Sequence, residues 1–117
     1  MSAIDDIATE RRRQIEQEGW SAGHDDSHMD GEMSRAAACY AAHASAYQRV
    51  CSDVGLQTYR SIEPRSSVYN FGWPWSREWW KPKDPRRDLI RAGALIVAEI
   101  ERLDRAASRT PQENASD

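Results

Sequence analysis

Apolar residues return along this chain at helical intervals in three places. From Ala3 to about Glu18, Ile4, Ile7, Ala8 and Ile15 keep steps of three and four with charges on the other faces, which predicts an amphipathic helix packed on one side. Ser2 followed by Asp5 supplies an N-terminal cap, and Asp5 and Asp6 stand where the helix dipole favours negative charge. Gly19 ends the pattern as a C′ glycine, with Trp20 folding back over the last turn. From Glu32 to about Ser52, Met33, Ala36, Ala37, Tyr40, Ala44, Tyr47 and Cys51 fall on one stripe. Seven alanines between Ala36 and Ala46 make this second helix slim, so a neighbour can approach closely and the helix is expected to be central. The third helix starts at Asp84-Pro85, a capping carboxylate followed by a proline where no N–H is needed. It runs to about Ala107, with Leu89, Ala92, Gly93, Ile96, Ile100 and Leu103 on one stripe that Ile90, Ala94 and Val97 broaden. Gly93 costs about 1 kcal/mol relative to alanine inside a helix, which predicts a backbone or an indole ring lying against it.

Between the second and third helices the period is lost. Residues 53–70 hold Gly55, Pro64 and Ser66-Ser67 as breakers, and predict a long ordered connection with short extended pieces around 56–62 and 68–71. Gly72 to Asp88 then holds four of the five tryptophans and three prolines. Proline interrupts a continuous helix there, and large rings favour burial, so the segment predicts an ordered aromatic plug docked on the helices. The fold class expected is all-α: three principal helices closed by this Trp/Pro-rich segment, one domain over residues 1–107, and a frayed or disordered polar tail over 108–117.

Composition narrows the function classes. A net charge of −3 on 117 residues argues against generic or sequence-specific nucleic-acid binding, which draws on many phosphate contacts. Two local basic clusters remain, Arg11, Arg12 and Arg13, and Lys81, Lys83, Arg86 and Arg87. No stretch approaches the roughly 20 apolar residues of a membrane span, and no secretory leader is present, so the expectation is a protein of the bacterial cytoplasm with no membrane partner. Cys39 and Cys51 are too far apart on one helix for a disulfide and fit no zinc or redox spacing, so two reduced thiols are expected.

The run from His24 to Glu32 is the densest in ligand-type side chains. It reads as a loop over residues 21–31 in which Ser27 or Asp30 caps the following helix and Asp25 and Asp26 pair with arginines such as Arg87 or Arg35. The alternative is a metal set of His24, Asp26, His28 and Glu32 able to activate a water, although the spacing fits neither His-Glu-x-x-His nor an EF-hand. His43, beside the buried stripe, reads as a helix histidine of the interior. Asp88, Glu99 and Glu101 invite comparison with the all-α nucleotide pyrophosphohydrolases, whose magnesium sites use paired acidic motifs. Glu101 and Asp104 give one such pair, but Arg35 stands where a second acid is wanted after Glu32. No phosphate loop, nucleophile elbow or oriented Cys–His pair occurs, so no catalytic residue and no cofactor is assigned.

Several motifs together carry a resemblance. They are Glu10-Arg11 with Gln14, Glu18-Gly19-Trp20, His24-Asp25-Asp26 with His28, and Gly31-Glu32 leading into Ala36-Ala37 and Tyr40-Ala41. Trp73-Pro74-Trp75, Trp79-Trp80-Lys81-Pro82, Arg87-Asp88-Leu89 and Ala98-Glu99-Ile100-Glu101-Arg102 complete the set. Over roughly Ile7 to Arg105 the chain resembles a family of small uncharacterised accessory proteins of tailed phages and prophages, also met as a segment of larger lambdoid-phage accessory proteins. The resemblance implies a phage or mobile-element origin and brings no reaction. Accessory proteins of this kind often counter host defence. The leading expectation is therefore a non-enzymatic inhibitor of a bacterial defence complex, anti-CRISPR-like, contacting a host protein through Trp73, Trp75, Trp79, Trp80, Lys81 and Arg86. The alternatives are a nucleotide-binding protein that sequesters a defence signal, since rings beside Arg and Lys can stack a base, and a metal-dependent nucleotide hydrolase using the His/Asp run. The sequence leaves homo-oligomer formation open.

Overall fold

The structure, a computed structural model, describes residues 2–64 and 72–108, apart from the side chains of Val50, Cys51 and Val54. The protein is all-α, with helices α1 (Ala3–Gln17), α2 (Ala22–Asp26), α3 (Glu32–Val54), α4 (Leu56–Ser61) and α5 (Pro85–Ser108), and a 3-10 turn at Arg77–Trp79. The caps read from the sequence are in place. Ser2 Oγ accepts the Asp5 N–H at 3.1 Å, Gly19 has φ +72°, the Trp20 N–H reaches back to the Gln14 carbonyl at 3.0 Å, and Asp84 Oδ1 accepts the Arg87 N–H at 2.8 Å.

Helix α5 is the hub, packed against α3, α1 and α2. The α3 stripe is interior as its spacing predicts: Met33, Ala36, Ala37, Tyr40 and Ala44 are all buried, and Cys39 joins them. The helix bends at Tyr47, whose φ of −119° and ψ of 18° leave the helical region. Two expectations are corrected at Ser21–Gly31 and 56–62. The first contains the helical turn α2, capped by Ser21 Oγ on the His24 N–H at 3.2 Å. The second is helical rather than extended, because Gly55 at φ +95° lets the chain leave α3 and restart at once as α4. The other stretch read as extended, 68–71, lies outside the described residues, as does the tail beyond Ser108.

The buried faces of α5 and α1 are not the ones their large aliphatics mark. On α5 the interior positions are Asp88, Ile90, Ala92, Ala94, Leu95, Ala98 and Glu99. Leu89, Ile96, Ile100 and Leu103 are each about half exposed, between 47% and 52%. The slim α3 explains the choice: alanine against alanine brings two helix axes close, and the core cluster pairs Ala36 and Ala37 with Ala92 and Ala98 around Leu95. On α1 the buried residues are Glu10, Arg11 and Gln14, while Ile4 is 78% exposed. Ile7 alone of its isoleucines meets α5 closely: a Cβ at Gly93 would lie 2.9 Å from Ile7 Cδ1, so the glycine admits an aliphatic tip rather than a backbone or an indole.

Candidate functional site

Because Glu10, Arg11 and Gln14 of α1 face inward, a layer of ion pairs lies between α1, α2 and α5, fully buried at Glu10 and Asp25 and open to solvent at Glu101. Glu10, with its side chain fully buried, is held by Arg13 through both oxygens at 2.8 Å and also by Arg87. Arg13 reaches on to Glu18 at 3.0 Å. From the next residue of α1, Arg11 donates to Asp25 at 2.6 Å and to Glu101 at 3.1 Å. Asp26 pairs with Arg105 at 2.8 Å. The arginine partners expected for the two aspartates are thus present, but they come from α1 and the end of α5 rather than from Arg87 or Arg35.

Burial raises the Glu10 carboxyl, yet the hydrogen bond from Arg13 and the charges of Arg87, Arg13 and Arg91 outweigh it and leave the group below its ordinary value of 4.5. A carboxylate depressed in this way stabilises the fold above its unfolded value and loses that contribution as pH falls through the folded one. In urea denaturation, the stability gap between the wild type and Glu10→Gln is expected to be widest above about pH 5 and to narrow on acidification. A gap that stays constant with pH would remove the ionic reading of this layer.

The tryptophan segment docks across this layer and the N-terminal half of α3. Trp80 is 4% exposed, stacks on Tyr40 with centroids 4.9 Å apart, and donates its indole N–H to the Ile62 carbonyl at 3.0 Å. Trp73 stands edge-on to Tyr40, Trp75 and Trp80 and donates to the Ser76 carbonyl at 3.0 Å. Trp75 meets Trp20 at 5.7 Å and His28 at 5.4 Å. Trp79 is 43% exposed, with Lys81 Nζ 5.4 Å over its ring. Arg86 lies apart from these rings and pairs with Asp6 at 2.5 Å. Of the six residues chosen from sequence, four therefore border one region, Trp80 supports it from the interior, and Arg86 belongs to the α1–α5 contact.

Two adjoining concavities open there. A groove of about 550 Å³ is walled by Trp20, Trp75 and Trp79 with His24, His28 and Glu18. It shares Glu18 and the three indoles with a narrow pit of about 30 Å³, lined further by Gln14, Tyr40, Lys81 and Arg91. Two buried polar atoms on residues of the pit have no partner, the Gln14 side-chain oxygen and the Trp75 indole nitrogen. The Gln14 amide orientation is fixed by Glu10, since its nitrogen donates to that carboxylate at 3.3 Å and leaves the oxygen as the unused atom. Lys81 and Arg91 carry no ion pair among the described residues; Arg91 lies 5.7 Å from the Tyr40 ring centroid and donates to the Lys81 carbonyl. Trp20, Gln14 and Arg91 were not among the residues picked for binding. The sequence signal for Gln14 is its place four residues after Glu10 and seven after Ile7, on the face of α1 that Ile7 shares.

The four residues of the metal alternative do not converge. His24 and His28 meet edge to face at 4.8 Å, and His28 Nδ1 lies 3.1 Å from Glu32. Asp26 faces Arg105 instead. Among the described residues no group of three or more His, Cys, Asp or Glu is placed to hold a metal ion. The acids compared with the pyrophosphohydrolases are separately engaged: Asp88 with Tyr59 at 2.6 Å, Glu99 with Arg102 at 2.5 Å, Glu101 with Arg11. No helix among the described residues is long and apolar enough to cross a membrane. Comparison with protein-family models, with curated proteins and with solved structures found no match to this chain.

Proposed function

We propose that this protein binds a nucleotide, with the base held between the indoles of the groove and its polar edge directed to the pit. The observation that carries the reading is the pair of unpartnered buried atoms of opposite sense, one acceptor on Gln14 and one donor on Trp75, on two residues that line one aromatic-walled pit. A buried polar atom without a partner costs about 1–3 kcal/mol, and a flat heterocycle whose edge both donates and accepts would satisfy both. The groove's volume of about 550 Å³ falls within the usual range for small-molecule sites. Aromatic faces stack bases without demanding a sequence, and Lys81 and Arg91 supply positive charge for the phosphates beside them.

The expectation of an inhibitor sets the same rings against a host protein. What favours a small ligand is that the rings wall a concavity and pack on one another, leaving Trp79 as the one large exposed ring among the described residues. In the phage setting that the sequence resemblance implies, such binding would sequester a nucleotide signal of host defence.

Calorimetric titration with adenine and guanine nucleotides and with cyclic dinucleotides, with and without Mg²⁺, tests the reading. At least one is expected to bind more tightly than about 100 μM, and Trp75→Phe is expected to weaken it roughly tenfold, the value of one hydrogen bond of about 1.4 kcal/mol. The same variant should keep full stability, because it deletes a donor that is unpaired in the free protein. Affinity weaker than 1 mM for every nucleotide overturns the proposal, and release of phosphate or pyrophosphate would replace it with the hydrolase reading.

A further inference from the structure

We infer that the exposed aliphatic face of α5 is the contact between two copies of this chain, arranged antiparallel about a two-fold axis near Ile96. The inference is independent of the ligand reading. It begins with the arrangement described above, in which the α5 face that packs inward combines Ala92, Ala94 and Ala98 with Ile90 and Leu95, while four further large aliphatics stay outside. Leu89, Ile96 and Leu103 are spaced by sevens, and Ile100 falls between the last two at a step of four, so all four lie on one narrow seam. Each is about half exposed. Four large aliphatics in register on one 24-residue helix are what a helix–helix seam requires, and scattered single exposures are not.

Charge selects the occupant and its direction. Arg86 and Asp104 are separated by five full helical turns and therefore stand on the same flank of the seam, one near each end of α5. In an antiparallel pair the same flank of each helix faces the other, which sets Arg86 of one copy opposite Asp104 of the second and repeats the pair through the two-fold axis. The register closes with the apolar residues: Leu89 meets Leu103, and the midpoints of both pairings fall at Leu95 and Ile96. The Arg86 side chain is 66% exposed even while it pairs with Asp6, and Asp104 is exposed as well, so a second copy can reach both. A parallel pair would set the two copies of this flank on opposite sides of the seam, so that Arg86 of one copy meets neither charge of the other. The chain thus carries on one face both the apolar seam and the complement of its own charges, which fits a second copy better than a partner of unrelated charge pattern.

A seam about 21 Å long from Leu89 to Leu103 and one helix wide is small for a stable interface, so association should be concentration-dependent in the micromolar range. Sedimentation equilibrium from about 10 to 500 μM is expected to move the wild type from the 13.3 kDa chain mass to twice that value. Ile96→Glu should remain at the chain mass throughout with an unchanged helical circular-dichroism spectrum, since the position is exposed in the isolated chain. Under mild oxidation, an equimolar mixture of Leu89→Cys and Leu103→Cys should cross-link into a heterodimer, while the wild type and either variant alone should not. A wild type that stays monomeric at 500 μM overturns the inference and leaves the face to a different protein. So does an Ile96→Glu variant that still pairs, or Leu89→Cys cross-linking to itself more readily than to Leu103→Cys.

Discussion

Asp25→Ala is expected to destabilise the protein by about 3–5 kcal/mol, although the residue sits on a helix of only five residues. Its carboxylate is fully buried and accepts from Arg11, whose side chain is 9% exposed. Removing one member of such a pair leaves the other charge uncompensated away from water, which is far costlier than losing the attraction itself. Glu101 offsets only part of this loss, because its side chain is 47% exposed and it engages Arg11 through Nε alone, leaving the terminal nitrogen that Asp25 held without a partner. The other terminal nitrogen of Arg11, Nη1, is buried without a partner even in the intact protein, so the guanidinium has no reserve. The check is urea denaturation followed by helical circular dichroism at neutral pH. A double change, Arg11→Met with Asp25→Leu, should cost much less than Asp25→Ala, because it removes both charges and keeps apolar volume. A loss below 1 kcal/mol for Asp25→Ala would mean that water reaches Arg11 and that the layer is not sealed. The consequence extends to the groove: Asp25 Oδ1 lies 3.4 Å from His24 Nδ1, so the pair that anchors α2 also sets the imidazole wall.

This dependence separates what was legible in the sequence from what was not. Local rules were readable. Ser2, Gly19 and Asp84-Pro85 act through atoms within a few residues of themselves, and the α3 stripe has apolar residues on one face only. The inward faces of α1 and α5 were not readable, because periodicity gives the existence of an apolar stripe but not its partner. On α5, alanines and large aliphatics mark two neighbouring faces. The close approach of α3 selects the alanines, a preference that exists only once both helices are placed. On α1, Glu10, Arg11 and Gln14 look solvent-facing until Arg87, Asp25 and Glu101, each distant in sequence or on another element, arrive to neutralise them. The same holds for the candidate site. The tryptophans announce themselves by composition, whereas Gln14 and Arg91 join them only through the crossing of α1 over α5. Residues 56–62 were misread as extended because Thr58, Tyr59 and Ile62 favour strands locally, while Tyr59 is committed to α4 by its buried contacts with Asp88 and His43.

Trp80→Ala is expected to cost about 3–5 kcal/mol and to abolish ligand binding, whereas Trp79→Ala should change stability by no more than about 1 kcal/mol. The two rings are adjacent in sequence and opposite in circumstance, at 4% and 43% exposure. Trp80 fills the space between Tyr40, His43 and Trp73, with centroids 4.9, 5.1 and 5.1 Å away, so truncation leaves a cavity bordered by rings too large to collapse into it. It also leaves the Ile62 carbonyl without its donor. Trp80→Phe separates the two terms, since it keeps most of the ring volume and forfeits only the hydrogen bond, and it should fall near 1–2 kcal/mol. The functional consequence follows the ring contacts outward. Trp80 meets Trp73, Trp73 meets Trp75 at 5.6 Å, and Trp75 walls the groove. Without the first ring the second loses its support, and the indoles that would hold a base no longer stand at fixed spacing. Denaturation and nucleotide titration on the same three variants test this. If Trp80→Ala binds as tightly as the wild type while folded, the groove does not rest on Trp80, and the aromatic segment is two independent parts rather than one stack.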